Sequence, residues 1–361
     1  MKATSRIGAT IIAAASGVFL AASASAQQSP PAPGDSDSVM IEIDLRPDRS
    51  FAYAFDTEVD IVQRGAEGDA DAADLPDQNL EYEAEVRFTV VAVQPDGART
   101  LNATVWAYEA EWEEGDAERE YSRGDLERLR GRLDEVFEDA GDLSPADRLF
   151  VALARATIVV ELAPDNSVAS VAGLEGFGEA VRASDDIDDR FLGFFTNDAF
   201  ADLVGPIFTA DGAVGTRRLP GQAWQTAKTV DLSNIAAMDY AYDWSVVEID
   251  DDEVTLRGEA QITVRRPTNP DDLRPNVALR SAEETVVTEW DADERLVEER
   301  EAEYSTSLAF TWSGQDRSIR LEQVATGVTE ADLIPLDELG WTEDEDDDEN
   351  DDAETDSDDA E

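Results

Sequence analysis

The chain has 361 residues with 84 acidic and 28 basic side chains, a formal net charge of −56 at pH 7, and neither histidine nor cysteine. Without these two residue types, a Ser–His–Asp triad, a Cys–His pair, a His-ligated zinc, a thiolate metal site, a c-type haem and a disulfide are all excluded. A surface this acidic disfavours nucleic acid and anionic lipid as partners, and it attracts cations.

The first 26 residues have the pattern of a cleavable secretory signal peptide. Lys2 and Arg6 precede an apolar stretch, residues 7–22, and Ala24-Ser25-Ala26 supplies the small residues that signal peptidase reads. Because the apolar stretch is shorter than the ~20 residues of a spanning helix, we predict no transmembrane segment. No cysteine follows, which excludes an acylated lipoprotein. Residues 27–38 form a Pro/Ser-rich leader that we expect to be disordered, ahead of a soluble periplasmic or secreted protein.

Acidic residues are spread over the whole chain. Removal of the signal peptide takes away Lys2 and Arg6 and changes the net charge to −58. Residues 343–361 hold 14 acids and no base, which leaves −44 on residues 27–342. We predict that residues 342–361 form a disordered acidic tail that serves solubility and binds cations weakly, and a specific partner for the tail stays open.

Two similar groups of strand-like segments make up most of the chain. Residues 80–90 alternate apolar and polar side chains with a period of two, which predicts an antiparallel strand with one solvated face. Gln94-Pro95-Asp96-Gly97 then predicts a turn, after which residues 99–112 complete a hairpin. The pattern strand, hairpin, hairpin occurs twice, first in residues 50–63, 80–112 and 156–172 and again in residues 222–232, 240–264 and 284–311.

Helical periodicity is confined to segments between these groups. The predicted helices are residues 125–140, a short turn after Ser144, residues 174–183 and residues 191–204, with loops at 64–78, 183–190 and 266–280. The predicted fold is therefore mainly β (α+β), an antiparallel curved sheet or two packed sheets from a duplicated strand–hairpin–hairpin unit, with a few covering helices between the copies. The first β-rich repeat takes residues 39–215, including the helices, and the second takes residues 216–328.

Two short motifs carry a family resemblance. Leu219-Pro220-Gly221-Gln222-Ala223-Trp224 is a Leu-Pro entry, a Gly, a polar residue and a Trp that opens a strand, and residues 164–174 are a turn and a strand with a Val-x-Gly-Leu exit into a helix. In these motifs the chain resembles an uncharacterised family of exported, β-rich bacterial proteins, a domain of unknown function, over about residues 40–327. It departs from the pattern in carrying Asn166-Ser167 where a Gly is more usual. The resemblance implies export and a β-rich fold, and it implies no activity and no catalytic residue.

Seven aromatic side chains are the candidate ligand-binding residues. They are Trp106, Tyr108, Trp112, Phe194, Phe195, Trp224 and Trp244. The first three share one face of a predicted strand, and an exposed row of this kind suits sugar stacking or a partner protein. The other four belong to aromatic groups that line a pocket for an apolar ligand or, as is more common, form core.

The acidic residues offer further candidate sites, which we interpret as polar surface. A glycan hydrolase needs two suitably spaced carboxylates, but the row Glu81, Glu83 and Glu85 fits the solvated face of a strand better. A calcium-loop-like start at Asp69 lacks the central Gly and has Leu80 where the loop needs Glu. We therefore predict no catalytic residue, no metal site and no cofactor.

Three functions remain open on the sequence. The first is a non-enzymatic binding or envelope-associated module, with a protein, glycan or lipophilic partner not specified. The alternatives are a periplasmic carrier of a lipophilic ligand, suggested by the aromatic residues, and a carboxylate-based glycan hydrolase. The absence of histidine, cysteine and any catalytic motif favours the first.

Overall fold

The computed structural model describes residues 38–65, 75–131, 144–184, 187–232, 235–250, 253–265, 275–313 and 318–340. The predicted signal peptide, the predicted acidic tail and all of the predicted leader except Ser38 lie outside these ranges.

Most of the described residues are in β-strands. The strands are β1 (Val39–Met40), β2 (Ser50–Gly65), β3 (Gln78–Val93), β4 (Arg99–Glu114), β5 (Ala117–Arg123), β6 (Ile158–Leu162), β7 (Val168–Ala172), β8 (Arg217–Arg218), β9 (Ala223–Leu232), β10 (Ala236–Ile249), β11 (Glu253–Arg265), β12 (Asn276–Asp291), β13 (Leu296–Ser313) and β14 (Ser318–Ile334). The α-helices are α1 (Leu126–Gly131), α2 (Pro145–Arg155), α3 (Glu175–Arg182) and α4 (Asn197–Thr209). Two 3₁₀ turns, Asp189–Leu192 and Ala210–Gly212, flank α4.

Twelve strands form one antiparallel sheet. Its order is β7-β6-β4-β3-β2-β14-β13-β12-β11-β10-β9, and β5 pairs with the far half of β4. The sheet is curved and does not close on itself, and β1 with β8 forms a separate two-stranded ribbon. The predicted mainly β class is confirmed, in its single-sheet form. Because β14 pairs with β2 along its length, one sheet includes strands from both predicted repeats, and the duplication itself stays a prediction.

The two faces of the sheet differ in chemistry, as the alternation along its strands predicts. Apolar side chains of β2 and β3, such as Phe51 paired with Phe88, lie on the face that the helices cover, which we call the inner face. Phe208 of α4 packs edge-on against Phe88 at 5.5 Å between ring centroids. The opposite face, the outer face, carries the charged residues between them, including Glu81, Glu83 and Glu85.

The helices begin where capping groups allow. Ser144 Oγ accepts a hydrogen bond from Asp147 N at 3.1 Å, and the predicted turn there is an eleven-residue helix, α2. The predicted helix over residues 191–204 is wrong in its start, because Gly193 adopts φ 46° and Thr196 caps α4 by accepting from Ala199 N. Residues 132–140 of the first predicted helix lie outside the described part of the chain.

Two other element predictions need correction. The segment Ala117–Arg123 is a strand, β5, which the sequence did not predict; it pairs with β4 from Tyr108 to Glu114. Residues 276–280, which were placed in a loop, belong to β12, because their backbone pairs with β13 from Thr311 inward. In both cases a neighbouring strand supplies the pairing that the local sequence does not indicate.

Candidate functional site

Rows of carboxylates cross the outer face from strand to strand. Antiparallel register puts Asp56 opposite both Glu83 of β3 and Glu330 of β14. One row further along, Glu58 faces Glu81, which in turn faces Glu111 of β4. Like charges directly opposite each other destabilise a sheet, so these rows hold unfavourable electrostatic energy at neutral pH.

The pKa values of the row acids reflect this crowding. Burial and then the facing carboxylates, chiefly that of Glu83, raise the pKa of Asp56 to about 6. The pKa values of Glu83, Glu111 and Glu330 are also raised, in each case by desolvation first and neighbouring acids second. These acids of the outer face therefore hold their protons more strongly than isolated carboxylates do.

A groove of about 390 Å³ continues these rows across β2, β14, β13 and β12. Four exposed carboxylates line it, those of Glu58, Asp60, Glu283 and Glu303. Hydroxyl side chains lie between them, because Ser305 pairs with Glu283 and Thr326 on either side, and Thr326 pairs with Asp60. Small residues flanked by longer acids produce the depression, which we call the acidic groove. No lysine or arginine is among its described lining residues.

The groove suits cations and offers little for bond cleavage. Carboxylates accept charge-assisted hydrogen bonds from ammonium and guanidinium groups. A two-carboxylate hydrolase needs one desolvated acid as proton donor and one ionised partner. Four of the lining acids are exposed, and the fifth, Glu284, is buried but bonded to Lys228 and Tyr242. Elsewhere on the outer face, oxygens of Glu111, Glu113 and Glu118 lie within 4.8 Å of one another, but two of the three residues are exposed and such groupings are common without an ion.

The inner face contains a buried charged network around Glu284. The hydroxyl of Tyr242 donates a hydrogen bond to Glu284 Oε1 at 2.6 Å, and Lys228 Nζ lies 3.2 Å from the same oxygen. The side chains of Glu284 and Lys228 are 5% and 18% exposed. The Lys228 ammonium also lies 4.6 Å from the centroid of the Tyr240 ring. Burial and then the Glu284 charge raise the pKa of Tyr242, so its hydroxyl stays a donor.

A second buried ion pair fastens the helical segment to the sheet. Asp211, in the turn after α4, accepts from Arg300 Nε of β13 at 3.1 Å and from Thr288 Oγ1 of β12 at 2.7 Å. Its carbonyl accepts from Trp224 Nε1 at 3.3 Å. These bonds satisfy both charges, and their role is to hold the helices on the inner face.

Six of the seven aromatic candidates lie in the interior, each under 9% exposed. Tyr108 packs edge-on against Phe195 with centroids 4.8 Å apart, and its hydroxyl donates to Phe191 O at 2.8 Å. The rings of Trp224 and Trp244 are stacked 6.0 Å apart. These contacts fill the space between sheet and helices with the aromatic side chains themselves.

Trp106 does not share a face with Tyr108 and Trp112. A bulge in β4 pairs Val105 with Val86 and Ala107 with Glu85, so Trp106 is the extra residue and the alternation changes phase there. Trp106 therefore lies toward the outer face beside Gly340, while Tyr108 and Trp112 are 0% and 2% exposed on the inner face. The bulge also explains why Asn102 and Thr104, polar residues of the same predicted face, precede Trp106.

The sequence analysis did not name the groove acids or the Glu284 network. One signal was present, since the alternation of β12 puts Glu284 in phase with the inner-face residues Val286 and Trp290. A second was Lys228, the only lysine beyond the predicted signal peptide. The groove itself had no local signal, because Glu58 and Glu303 are brought together by the pairing of β13 with β14 and of β14 with β2.

Comparisons with known proteins leave the family open. No family model and no curated protein matches the chain. One solved structure with some likeness is that of lipovitellin, described for its lipid–protein interactions, with 9% sequence identity, coverage of 81% of this chain and 26% of that one, and a TM-score of 0.38. Another is an outer membrane channel from Pseudomonas putida F1, with 10% identity, coverage of 84% of this chain and 100% of that one, and a TM-score of 0.21. A third is the TodX monoaromatic hydrocarbon channel, with 7% identity, coverage of 80% of this chain and 91% of that one, and a TM-score of 0.20. Scores this low support no functional argument, and the resemblance to an exported family stays a prediction.

Membrane-spanning helices are not found in the described part of the chain. None of its helices combines the length and the apolar character that a crossing needs.

Proposed function

We propose that this protein is an exported, non-enzymatic binding module whose outer face takes a basic polypeptide segment. The observation that carries the proposal is the acidic groove, about 390 Å³ in volume and lined by four exposed carboxylates. Lysine and arginine side chains lying along it would neutralise the groove and relieve the repulsion between the acid rows beside it. The predicted signal peptide supports a site of action outside the cytoplasm.

The interior supports this function over that of a lipophilic carrier. A carrier needs an apolar cavity, and the aromatic rings suggested for one pack on each other instead, as Phe194 does on Phe195 at 5.1 Å. The groove is polar, since acids and hydroxyls make up most of its lining. Its chemistry therefore fits a cationic partner better than an apolar one.

Titration of a fluorescent octalysine peptide with the mature protein tests the proposal. In the groove variant, Glu58→Gln, Asp60→Asn, Glu283→Gln and Glu303→Gln are combined. We expect it to bind about tenfold more weakly than wild type, and added salt to weaken wild-type binding, because exposed charge pairs are screened.

A matched control removes the same number of charges elsewhere. Asp116→Asn, Glu179→Gln, Glu248→Gln and Asp337→Asn change exposed acids outside the groove. This control should bind within about threefold of wild type, since it alters only the distant field. Equal weakening in both variants would show that net charge alone attracts the peptide, and would overturn the proposal.

A further inference from the structure

The large sheet ends at β9, which pairs with a neighbour on one side only. Among the described residues, those of β9 from Ala223 to Val230 form backbone hydrogen bonds with β10 alone. The pairing runs without a register shift from Ala223 opposite Ser245 to Leu232 opposite Ala236. The other edge of β9 therefore presents an uninterrupted row of N–H and C=O groups that a further strand can pair.

Two other described strands, β7 and β5, also pair on one side only, but both are protected. β7 has five residues and packs beside α4, and four of the seven residues of β5 are charged. Short length and edge charges are common protection against pairing between chains. β9 has ten residues and no proline, and the one charged residue among residues 223–230 is Lys228. Its ammonium lies on the inner face, 3.2 Å from Glu284 Oε1, so its charge is compensated within the chain.

The outer side of β9 is uncharged over residues 223–230, in contrast to the acid rows of β2 and β3. Its exposed side chains there are those of alanine, glutamine and threonine. The two acids of β10 that lie opposite β9 are both bonded: Asp239 accepts from Arg265 Nη2 and Asp243 accepts from Gln225 and Gln261. A second strand of the same sequence would therefore meet little charge repulsion at this edge.

The sequence of β9 suits antiparallel pairing with a second copy of itself. Because β9 has ten residues, two registers keep inner side chains beside inner ones and leave a single end residue unpaired. The register centred on Lys228 places two lysines opposite each other, which is unfavourable. The register centred on Ala227 places Lys228 opposite Thr226 and Trp224 opposite Val230. An aromatic side chain opposite a β-branched one stabilises antiparallel strands, so the second register is favoured.

We propose that β9 pairs with β9 of a second copy of this chain, about a two-fold axis at Ala227. The pairing joins two sheets into one and satisfies the edge groups of both copies. One strand pair buries less surface than a standard interface of about 1,600 Å², so we expect a weak dimer with a dissociation constant of about 10–100 μM. The acidic groove begins at β12, beyond β10 and β11, and takes no part in the pairing.

Sedimentation equilibrium of the protein without its predicted signal peptide measures the association. We expect the mass to rise toward twice that of one chain between about 5 and about 500 μM protein. Added salt should strengthen the dimer, because it screens the repulsion between two strongly acidic chains. A chain that stays monomeric over this range at both low and high salt overturns the proposal.

A charge placed at the two-fold axis tests the register. Ala227→Glu puts two carboxylates opposite each other and should weaken the dimer by about fivefold or more. Ala241→Glu is the matched control, because Ala241 is exposed on the same face opposite Ala227 but is paired on its other side with Gln261 of β11. It should stay within about twofold of wild type. Both changes replace exposed alanines, so the fold should tolerate them. Equal weakening by the two variants would overturn pairing through β9.

Mixing two variants tests whether the weakening comes from the facing charges. Ala227→Lys alone should also weaken the dimer, whereas an equimolar mixture of Ala227→Glu and Ala227→Lys should associate more tightly than either variant alone. A mixture no tighter than its components would contradict the register.

The outcomes also separate this proposal from the proposed function. The groove variant should dimerise at least as tightly as wild type, so loss of peptide binding and loss of the dimer are independent results. Species larger than a dimer that grow with concentration would indicate that β9 joins β7 of the next copy, and would contradict the two-fold pair.

Discussion

Lys228 is the only lysine beyond the predicted signal peptide, and it lies on the inner face of the sheet beside Glu284. Its ammonium compensates a carboxylate that is 5% exposed and otherwise bonded to the hydroxyl of Tyr242. A buried pair of this kind adds little to stability as a whole, but removal of one partner leaves the other charge without compensation.

We expect Lys228→Met to reduce the free energy of unfolding by about 2 kcal/mol, less than for a fully buried pair because Lys228 retains some solvent contact. The double variant Lys228→Met with Glu284→Gln should recover more than half of that loss, since no unpaired charge remains. Urea unfolding followed by circular dichroism measures both values. Additive losses in the double variant would show that the two side chains do not interact.

Asp56 makes stability depend on pH. Its pKa of about 6 in the folded protein lies above its ordinary value of 3.8, so its contribution is fully present below about pH 4 and is lost as pH rises through 6. Asp56→Asn should therefore stabilise the protein at pH 7 by about 1 kcal/mol after allowance for solvent screening, and by almost nothing at pH 4.

Asp60→Asn is the matched control for this effect. Asp60 lies on the same strand and face, but its partner on β3 is Asn79 instead of a carboxylate. Asp60→Asn should raise the free energy of unfolding at pH 7 by less than Asp56→Asn does. Urea unfolding at pH 4 and pH 7 measures both variants. A gain for Asp56→Asn that is equal at pH 4 and pH 7 would contradict the assignment of its pKa.

At the scale of elements, the segment after β14 covers part of the outer face. The backbone N–H of Gly340 donates to the carboxylate of Glu85, and Gly340 lies next to Trp106 at the bulge of β4. Burial raises the pKa of Glu85, partly offset by that hydrogen bond. The end of this segment, at Gly340, therefore lies over the bulge.

Two truncations test that role. A chain ending at Ile334 should have a free energy of unfolding about 1–2 kcal/mol lower than one ending at Gly340, because it loses the hydrogen bond and the apolar contact. It should therefore unfold at a lower urea concentration. Trp106 should also become more accessible to acrylamide quenching in the shorter chain. Identical unfolding curves and quenching would show that residues 335–340 contribute nothing to the fold.

The elements also show how far the sequence predicts this structure. The alternation of β3, the Gln94–Gly97 turn with Gly97 at φ 95°, and the start of a helical turn after Ser144 all depend on neighbouring residues, and all were predicted. The bulge at Trp106 was not predicted, because it depends on how β4 pairs with β3 and not on the residues next to Trp106 in the sequence. The strand β5 was missed for the same reason, since β4 provides its pairing.

At the scale of the whole molecule, the candidate site arises from long-range strand order. Asp60 and Glu283 are more than 200 residues apart in sequence and meet at one groove because β14 pairs with β2 and β13 pairs with both β12 and β14. The sequence predicted the sheet and its acidity, but the groove depends on which strands are neighbours. The outer face thus combines the acid rows and the acidic groove on a single surface.

Zero-length carbodiimide cross-linking of octalysine to the protein without its predicted signal peptide, with the sites mapped by mass spectrometry, tests the central claim most directly. The reagent joins a lysine amine to a carboxylate in contact with it, and internal cross-links are rare because Lys228 is the only lysine beyond the predicted signal peptide. We predict that the cross-links concentrate at Glu58, Asp60, Glu283 and Glu303. Cross-links spread over the exposed acids in proportion to their accessibility would contradict a binding site in the acidic groove.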